Sequence, residues 1–170
     1  LLTMYSGMRI GEICALKWSD IDLQSGIIRI SKTVQRINDK IGNSKTKIIV
    51  GSPKSRTSER EIPIPNFLVN ILNERRQNEN NYILSGTHKL IEPRTMQNRF
   101  KSVLKKCGIR NVNFHLLRHT YATVCIENGF DAKTVSELLG HSNVNITLNR
   151  YVHSSLDTKK KYVEKLNFVA

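Results

Sequence analysis

The chain has 170 residues, 39% of them hydrophobic, enough to bury the core of one domain but not of two full ones. Its 27 Lys and Arg against 14 Asp and Glu give a formal net charge of +13, unlike an ordinary soluble enzyme, and point to a polyanionic partner. Periodic apolar patterns run through most of the sequence, so the charge sits on a folded body and not on a disordered basic tail.

Leu1 to Met4, and then Ile10, Ile13, Cys14 and Leu16, recur at helical spacing. They predict two short helices broken at Ser6-Gly7, with Trp18-Ser19-Asp20 as the exit and with Arg9 and Glu12 on the second helix. The apolar pattern is already under way at Leu1, so a preceding portion of the protein is expected.

Three β-type runs follow: Gly26 to Arg36, Lys47 to Val50 and Arg60 to Pro65. Polar turns separate them, which predicts a three-stranded antiparallel sheet, with Pro53, Pro63 and Pro65 at strand ends or edges and Lys54 in the turn before the third strand.

The rest reads as helical. Asn66 caps a helix carrying Phe67, Leu68, Ile71 and Leu72, and Pro93 opens another that stops at Gly108. Helices over His115 to Glu127, Asp131 to Leu139 with Gly140 as the stop, and Asn145 to Tyr151 follow closely. A last amphipathic helix from Ser155 carries Leu156, Tyr162, Val163 and Leu166. The fold class is therefore mainly α with a small three-stranded antiparallel β-sheet (α+β), as residues 1–152 with a tail helix over 153–170. Cys14, Cys107 and Cys125 lie far apart in apolar helical settings and read as reduced core thiols. No apolar run is as long as a membrane span and no secretion signal opens the chain, which together predict a cytoplasmic protein.

The chemistry is concentrated in separated motifs. His115 and Arg118 are three apart, which puts both side chains on one helix face where they can meet one anion. Leu138-Leu-Gly-His-Ser142 places His141 just beyond a helix stop, and Tyr151 follows ten positions later. Ser6-Gly-Met-Arg-Ile-Gly-Glu12 supplies Arg9, and Pro53-Lys-Ser-Arg-Thr-Ser-Glu-Arg60 supplies Lys54. Taken together in this order, these motifs make the chain resemble the tyrosine recombinase (phage integrase) family over nearly its whole length.

The resemblance implies a site-specific recombinase that cleaves and rejoins double-stranded DNA through a 3′-phosphotyrosine. In that case Arg9 and Arg118 clamp the scissile phosphate, Lys54 is the hairpin lysine, His115 and His141 are the two histidines and Tyr151 is the nucleophile, with Glu12 as a supporting acid. It also implies the tyrosine recombinase catalytic-domain fold, upstream DNA-binding domains, a tetramer of protomers on DNA, and accessory DNA-bending or excision factors. The setting would be a bacterial, DNA-associated one, in a prophage or conjugative transposon.

Physical chemistry supports these roles. Two guanidiniums offer fixed, forked donors to the charge that grows in a pentavalent transition state. A phenol is a poor nucleophile and needs a base, for which His115 is the candidate, while Lys54 can protonate the leaving 5′-oxygen. Since each step swaps one phosphoester for another, neither metal nor ATP is needed, and no cofactor is expected. Lys32 and Arg56, in basic stretches, are candidate contacts to DNA phosphates. His119, His153 and His88 receive no role, and Trp18, Phe114 and Tyr121 read as core aromatics.

Other functions compete. A type IB topoisomerase shares the tyrosine chemistry but rejoins the same strand. A non-catalytic regulator could use Val124 to Tyr151 as a helix-turn-helix with Asn128-Gly129-Phe130 as its turn, and a basic RNA-binding protein would also account for the charge. Neither of the last two explains Arg9, Lys54, His115 and Arg118 together.

Overall fold

In a computed structural model, the structure describes residues 1–39, 45–53, 55–151, 156, 160, 163 and 164, with Arg56 described in its backbone only. Helix α1 (Leu2–Ser6) ends because Gly7 turns left-handed at φ 61°, its N–H reaching back to the Thr3 carbonyl. A Cβ at that position would come within 2.6 Å of Tyr121 and 2.7 Å of Leu139, so only glycine lets α1 end against the helices that carry those residues. Helix α2 (Ile10–Ala15) follows and is buried along most of its length.

Strands β1 (Ile21–Asp22), β2 (Ile27–Ile30) and β5 (Arg60–Pro63) form an antiparallel sheet in the order β1-β2-β5. Strands β3 (Thr33–Asn38) and β4 (Thr46–Gly51) form a separate antiparallel pair. The small three-stranded antiparallel sheet is thus present, but with other members than the sequence pattern suggests. The run from Gly26 to Arg36 keeps one phase, with Ile28, Ile30 and Val34 all buried, and so reads as a single strand. It breaks at Ser31-Lys32 because its partners change: β5 pairs with Ile27 to Ile30, and β4 with Thr33 to Asn38. Two residues of β1 are too short to show any alternation. Pro63 ends an edge strand, where its missing N–H costs no ladder bond.

Among the described residues, five more α-helices follow: α3 (Asn66–Glu74), α4 (Pro93–Lys106), α5 (His115–Glu127), α6 (Ala132–Leu139) and α7 (Asn145–Tyr151). Pro65, not Asn66, occupies the cap of α3, because its extended backbone presents the carbonyl that accepts from Leu68 and Val69. Asp131 caps α6 by accepting from the Thr134 N–H. The main core joins Met8, Ile13, Trp18, Ile28, Ile62, Leu68 and Phe114, so α2, the three-stranded sheet, α3 and the start of α5 share one interior. A second cluster of Ala122, Cys125, Val135 and Leu139 locks α5 onto α6, and Tyr121 and Tyr151 pack on it.

All three cysteines are free, as expected, but Cys107 is exposed and not a core thiol. It lies at the C-cap of α4, past the last turn whose apolar face is buried. The tail helix expected from Ser155 falls almost wholly outside the described residues, as does His153. No described helix is long and apolar enough to cross a membrane.

Candidate active site

The site is built around one helix end. A helix leaves its last carbonyls without intrahelical partners and carries partial negative charge there. At the C-terminus of α6 three arginines meet those carbonyls: Arg60 Nε donates to Leu138 at 2.6 Å, Arg118 Nη2 to Leu139 at 2.7 Å and Arg9 Nη2 to Gly140 at 2.9 Å. Gly140 adopts φ 64°, and a Cβ there would sit 3.0 Å from both Arg60 Nη1 and the Thr57 carbonyl. The helix stop therefore has to be glycine both for its backbone angle and for the space the arginine takes.

Glu12, third in α2, organises two of these guanidiniums. Its carboxylate accepts from the Arg9 backbone N–H and from Arg9 Nη1, both at 2.8 Å. It also accepts from Arg60 Nη1 and Nη2, at 3.1 and 2.9 Å. Burial alone would raise this carboxyl, but Arg60 and then Arg9 outweigh it and hold Glu12 below its ordinary value. Glu12 is thus an ionised, buried support.

Arg118 is 2% exposed and also donates Nη1 to the Gly7 carbonyl at 2.8 Å. Burial, then repulsion from Arg9, pushes it down to about 9, so it stays charged at neutral pH. Its two carbonyl bonds use one hydrogen on each terminal nitrogen and leave the other N–H groups of the five-donor fork for a further acceptor. Three guanidiniums against one carboxylate give the corner a net positive charge, which suits an anion.

His141 follows directly on this helix end. Its Nδ1 lies 2.9 Å from the hydroxyl of fully buried Thr147 on α7. Desolvation, then Arg118 and Arg9, pushes His141 down to about 4, so it is neutral at pH 7. In the tautomer in which the Thr147 hydroxyl donates to Nδ1, the imidazole proton sits on Nε2 and can be offered to an anion. A cleft of about 620 Å³ opens here, lined among others by Arg9, Glu12, Pro53, Ser55, His141 and Ser142. A larger hollow of about 760 Å³, walled mostly by apolar side chains such as Leu68, Leu72 and Phe100, contains none of the expected site residues.

His115 opens α5, and its imidazole is held low by desolvation, then by His119, Arg118, Arg150 and Arg9. Its ring meets the His119 ring edge-on at 4.5 Å. His119, not His115, bonds Tyr151: Nδ1 lies 2.5 Å from the phenolic oxygen. Burial raises the Tyr151 phenol, against the pull of Arg150 and Arg118. Among the described residues no group of three or more His, Cys, Asp or Glu is placed to hold a metal ion.

Of the residues singled out in the sequence, Arg9, Glu12, His115, Arg118, His141 and Tyr151 gather around the end of α6 within hydrogen-bonding or electrostatic reach. Lys54 and the side chain of Arg56 lie outside the described residues. Lys32 pairs with Asp20 at 3.5 Å. Arg60, His119 and Thr147 were not anticipated. Arg60 carried a signal: it shares a strand face with Ile62 and Ile64, both buried, and a charge in the buried phase of a strand requires a partner. The contact of His119 with Tyr151 spans 32 residues and leaves no local pattern.

A sequence model of the phage integrase family matches residues 1–157. The chain is 36% identical to a tyrosine recombinase XerC-like protein of Caldanaerobacter subterraneus subsp. tengcongensis, an alignment covering 98% of this chain and 48% of that protein. It is 30% identical to tyrosine recombinase XerA of Thermococcus onnurineus, over 99% of this chain and 54% of that protein. The chain thus spans about half the length of these curated relatives. Among solved structures, the fold matches the Tn1549 transposon integrase in complex with a circular intermediate DNA, with a TM-score of 0.75 at 23% identity, covering 98% of this chain and 57% of that one. The catalytic domain of bacteriophage HP1 integrase matches with a TM-score of 0.58 at 19% identity, over 95% of this chain and 77% of that one. Every described residue that builds the corner at the end of α6 falls inside the matched span, and on that match the chain belongs to the phage integrase family.

Proposed function

We propose that residues 1–152 are the catalytic domain of a site-specific tyrosine recombinase that cuts and rejoins double-stranded DNA through a 3′-phosphotyrosine. The observation that carries this reading is the meeting of Arg9 and Arg118 on successive carbonyls at the end of α6, next to His141 and within electrostatic reach of Tyr151. Names of relatives such as tyrosine recombinase XerA, and the solution of the Tn1549 integrase with DNA, support duplex DNA as the substrate.

In this reading the scissile phosphate enters the cleft beside the α6 corner. Arg9 and Arg118 bind its non-bridging oxygens and stabilise the charge added as phosphorus becomes five-coordinate. His141 donates from Nε2, and His115 adds a further hydrogen bond at the start of α5. Tyr151 Oη attacks, forming the phosphotyrosine and releasing a 5′-hydroxyl, whose oxygen takes its proton from Lys54. Pro53 and Ser55, the chain neighbours of Lys54, line the cleft, which supports that role. Glu12 fixes the Arg9 fork, while Lys32 and Arg56 contact flanking phosphates. Attack by a 5′-hydroxyl of another strand reverses the chemistry and rejoins the DNA, with no change in the number of phosphoester bonds.

Recombination needs two duplexes, so further protomers, four on paired sites, are the expected partners, with accessory DNA-bending or excision factors. The biological setting is integration or excision of a prophage or conjugative transposon on cytoplasmic bacterial DNA.

The test is covalent trapping. Incubated with a pool of random-sequence duplexes and quenched in detergent, the full chain is expected to retain DNA attached through Tyr151, and the trapped sequences report its site. Tyr151→Phe is expected to bind DNA and trap none. A wild-type chain that binds DNA and traps none at any sequence overturns the reading and leaves a basic DNA-binding domain.

A further inference from the structure

The proposed chemistry needs something to take the proton of Tyr151, and the residue expected to do so, His115, makes no hydrogen bond to it among the described residues. Resting on the recombinase reading, we propose that His119 is the general base of the strand-cleavage step, its Nδ1 accepting the phenolic proton of Tyr151 as Oη attacks phosphorus.

Four observations lead there. Nδ1 and Oη lie 2.5 Å apart, in direct hydrogen-bond contact with no group between them. The contact is fixed by packing. Tyr151, the last residue of α7, lies on the Ala122, Cys125, Val135 and Leu139 cluster that also holds α5 in place, so the two ring-bearing helices share one foundation. The His119 ring also meets the ring of His115 edge-on. Finally, burial raises the Tyr151 phenol, so a neutral phenol without an adjacent acceptor would stay protonated.

The ionisation of the base also fits. His119 is held below its ordinary value by partial burial, then by Arg150 and Arg118, which favours the neutral imidazole that a base must be. The groups facing it are His115 and Arg118 on α5 and Arg150 and Tyr151 on α7. Three of these are cationic or imidazole groups, which disfavour a resting imidazolium, while the phenolate forming beside it favours one only during the reaction.

The proton count closes. As the Oη–P bond forms, the Oη–H proton moves to Nδ1 and His119 becomes imidazolium. As the P–O5′ bond breaks, O5′ takes a proton from the Lys54 ammonium and leaves as a hydroxyl. In rejoining, the incoming 5′-hydroxyl returns its proton to Lys54, and the imidazolium returns its proton to Oη as tyrosine departs. His115 then steadies the His119 ring and does not itself act on the nucleophile.

The experiment uses the full chain and nicked duplexes of a sequence trapped by wild type, made with either a 5′-oxygen or a 5′-bridging sulfur at the scissile phosphate. A thiolate leaves without a proton, so sulfur removes the need for an acid but not for a base. His119→Asn keeps an amide oxygen that can accept from Tyr151 but cannot take its proton. The expected result is covalent-complex formation slowed about 100-fold or more on both duplexes, with DNA affinity unchanged. The His119→Asn rate should also climb with pH toward the tyrosine's own ionisation, where wild type has reached a plateau.

His119→Asn within about threefold of wild type, or rescued by sulfur, overturns the assignment while the recombinase reading stands. A wild-type chain with no covalent complex overturns both. Should His119→Asn fail to fold, ¹⁵N-histidine spectra of wild type and Tyr151→Phe decide the matter. An Nδ1 that is bare in wild type and shifts on loss of the phenol is expected, and a protonated Nδ1 at neutral pH overturns it.

Discussion

Arg60 and Glu12 form a two-pronged ion pair, at 3.1 and 2.9 Å, with side chains only 6% and 2% exposed. Neither group is itself a candidate reactant, yet the pair fixes the strand β5, the start of α2 and, through Arg60 Nε, the end of α6. Replacing Glu12 with Ala leaves Arg60 buried without its counter-charge. The expected cost is about 3–5 kcal/mol, read as a lower urea midpoint with an unchanged slope. Acid acts on the same pair. The folded carboxyl titrates below its ordinary value of 4.5, so the unfolded chain takes up the proton first. The stabilisation is complete above that ordinary value and is lost as the pH falls through the folded one.

Gly140→Ala is expected to destabilise the chain by about 1–3 kcal/mol, because alanine strains the left-handed backbone and its Cβ presses on Arg60 and the Thr57 carbonyl. Thermal melting reads the stability loss. Because Arg9 holds the carbonyl of the same residue, the variant should also trap less covalent DNA at temperatures where it remains folded.

His141 gives a second pH dependence, at higher pH than Glu12. Its folded value is near 4 against an ordinary 6.5, so protons bind the unfolded chain first. The contribution to stability is present above about pH 6.5 and is lost as the pH falls toward 4. Urea titrations at stepped pH should show this decline, and His141→Gln should flatten it. An anion in the cleft works the other way: it favours imidazolium, so inorganic sulfate is expected to raise the His141 titration midpoint in proton NMR.

Arg118→Lys tests whether charge alone is enough. An ammonium cannot span the Gly7 and Leu139 carbonyls from one rigid plane, so at least one buried carbonyl loses its donor. A loss of about 1–3 kcal/mol is expected in denaturant unfolding, with covalent trapping abolished. Arg9→Lys, at a side chain 38% exposed, should cost less stability while still impairing trapping.

Much of this organisation was legible in the residues themselves. The helix from His115 to Glu127 was readable at both ends, and α6 was readable to its stop at Gly140, although Asp131, read as its first residue, is its cap. The convergence of Arg9, Arg118 and His141 was expected from ordered motifs, although their common anchor, the end of α6, was not. The sheet was misread in its membership because one uninterrupted phase from Ile28 to Val34 conceals a change of partners at Ser31-Lys32. His119 escaped because its contact with Tyr151 is set by how two helices dock on Leu139 and its neighbours, which local spacing does not encode.

The three arginines that close α6 come from distant stretches of chain. Arg9 is 131 residues from Gly140, Arg60 is 78 from Leu138, and Arg118 ties Gly7 across 111. Contacts of such separation form late, after most loop entropy has been lost. During synthesis, Arg9 therefore waits for nearly all the described chain to emerge before its partner exists. Until residues 138–140 have been made, the guanidiniums of Arg9, Arg60 and Arg118 lack the carbonyls on which they meet. The cationic corner at the end of α6 then arrives all at once with the completed fold, and not piecemeal as its three arginines emerge.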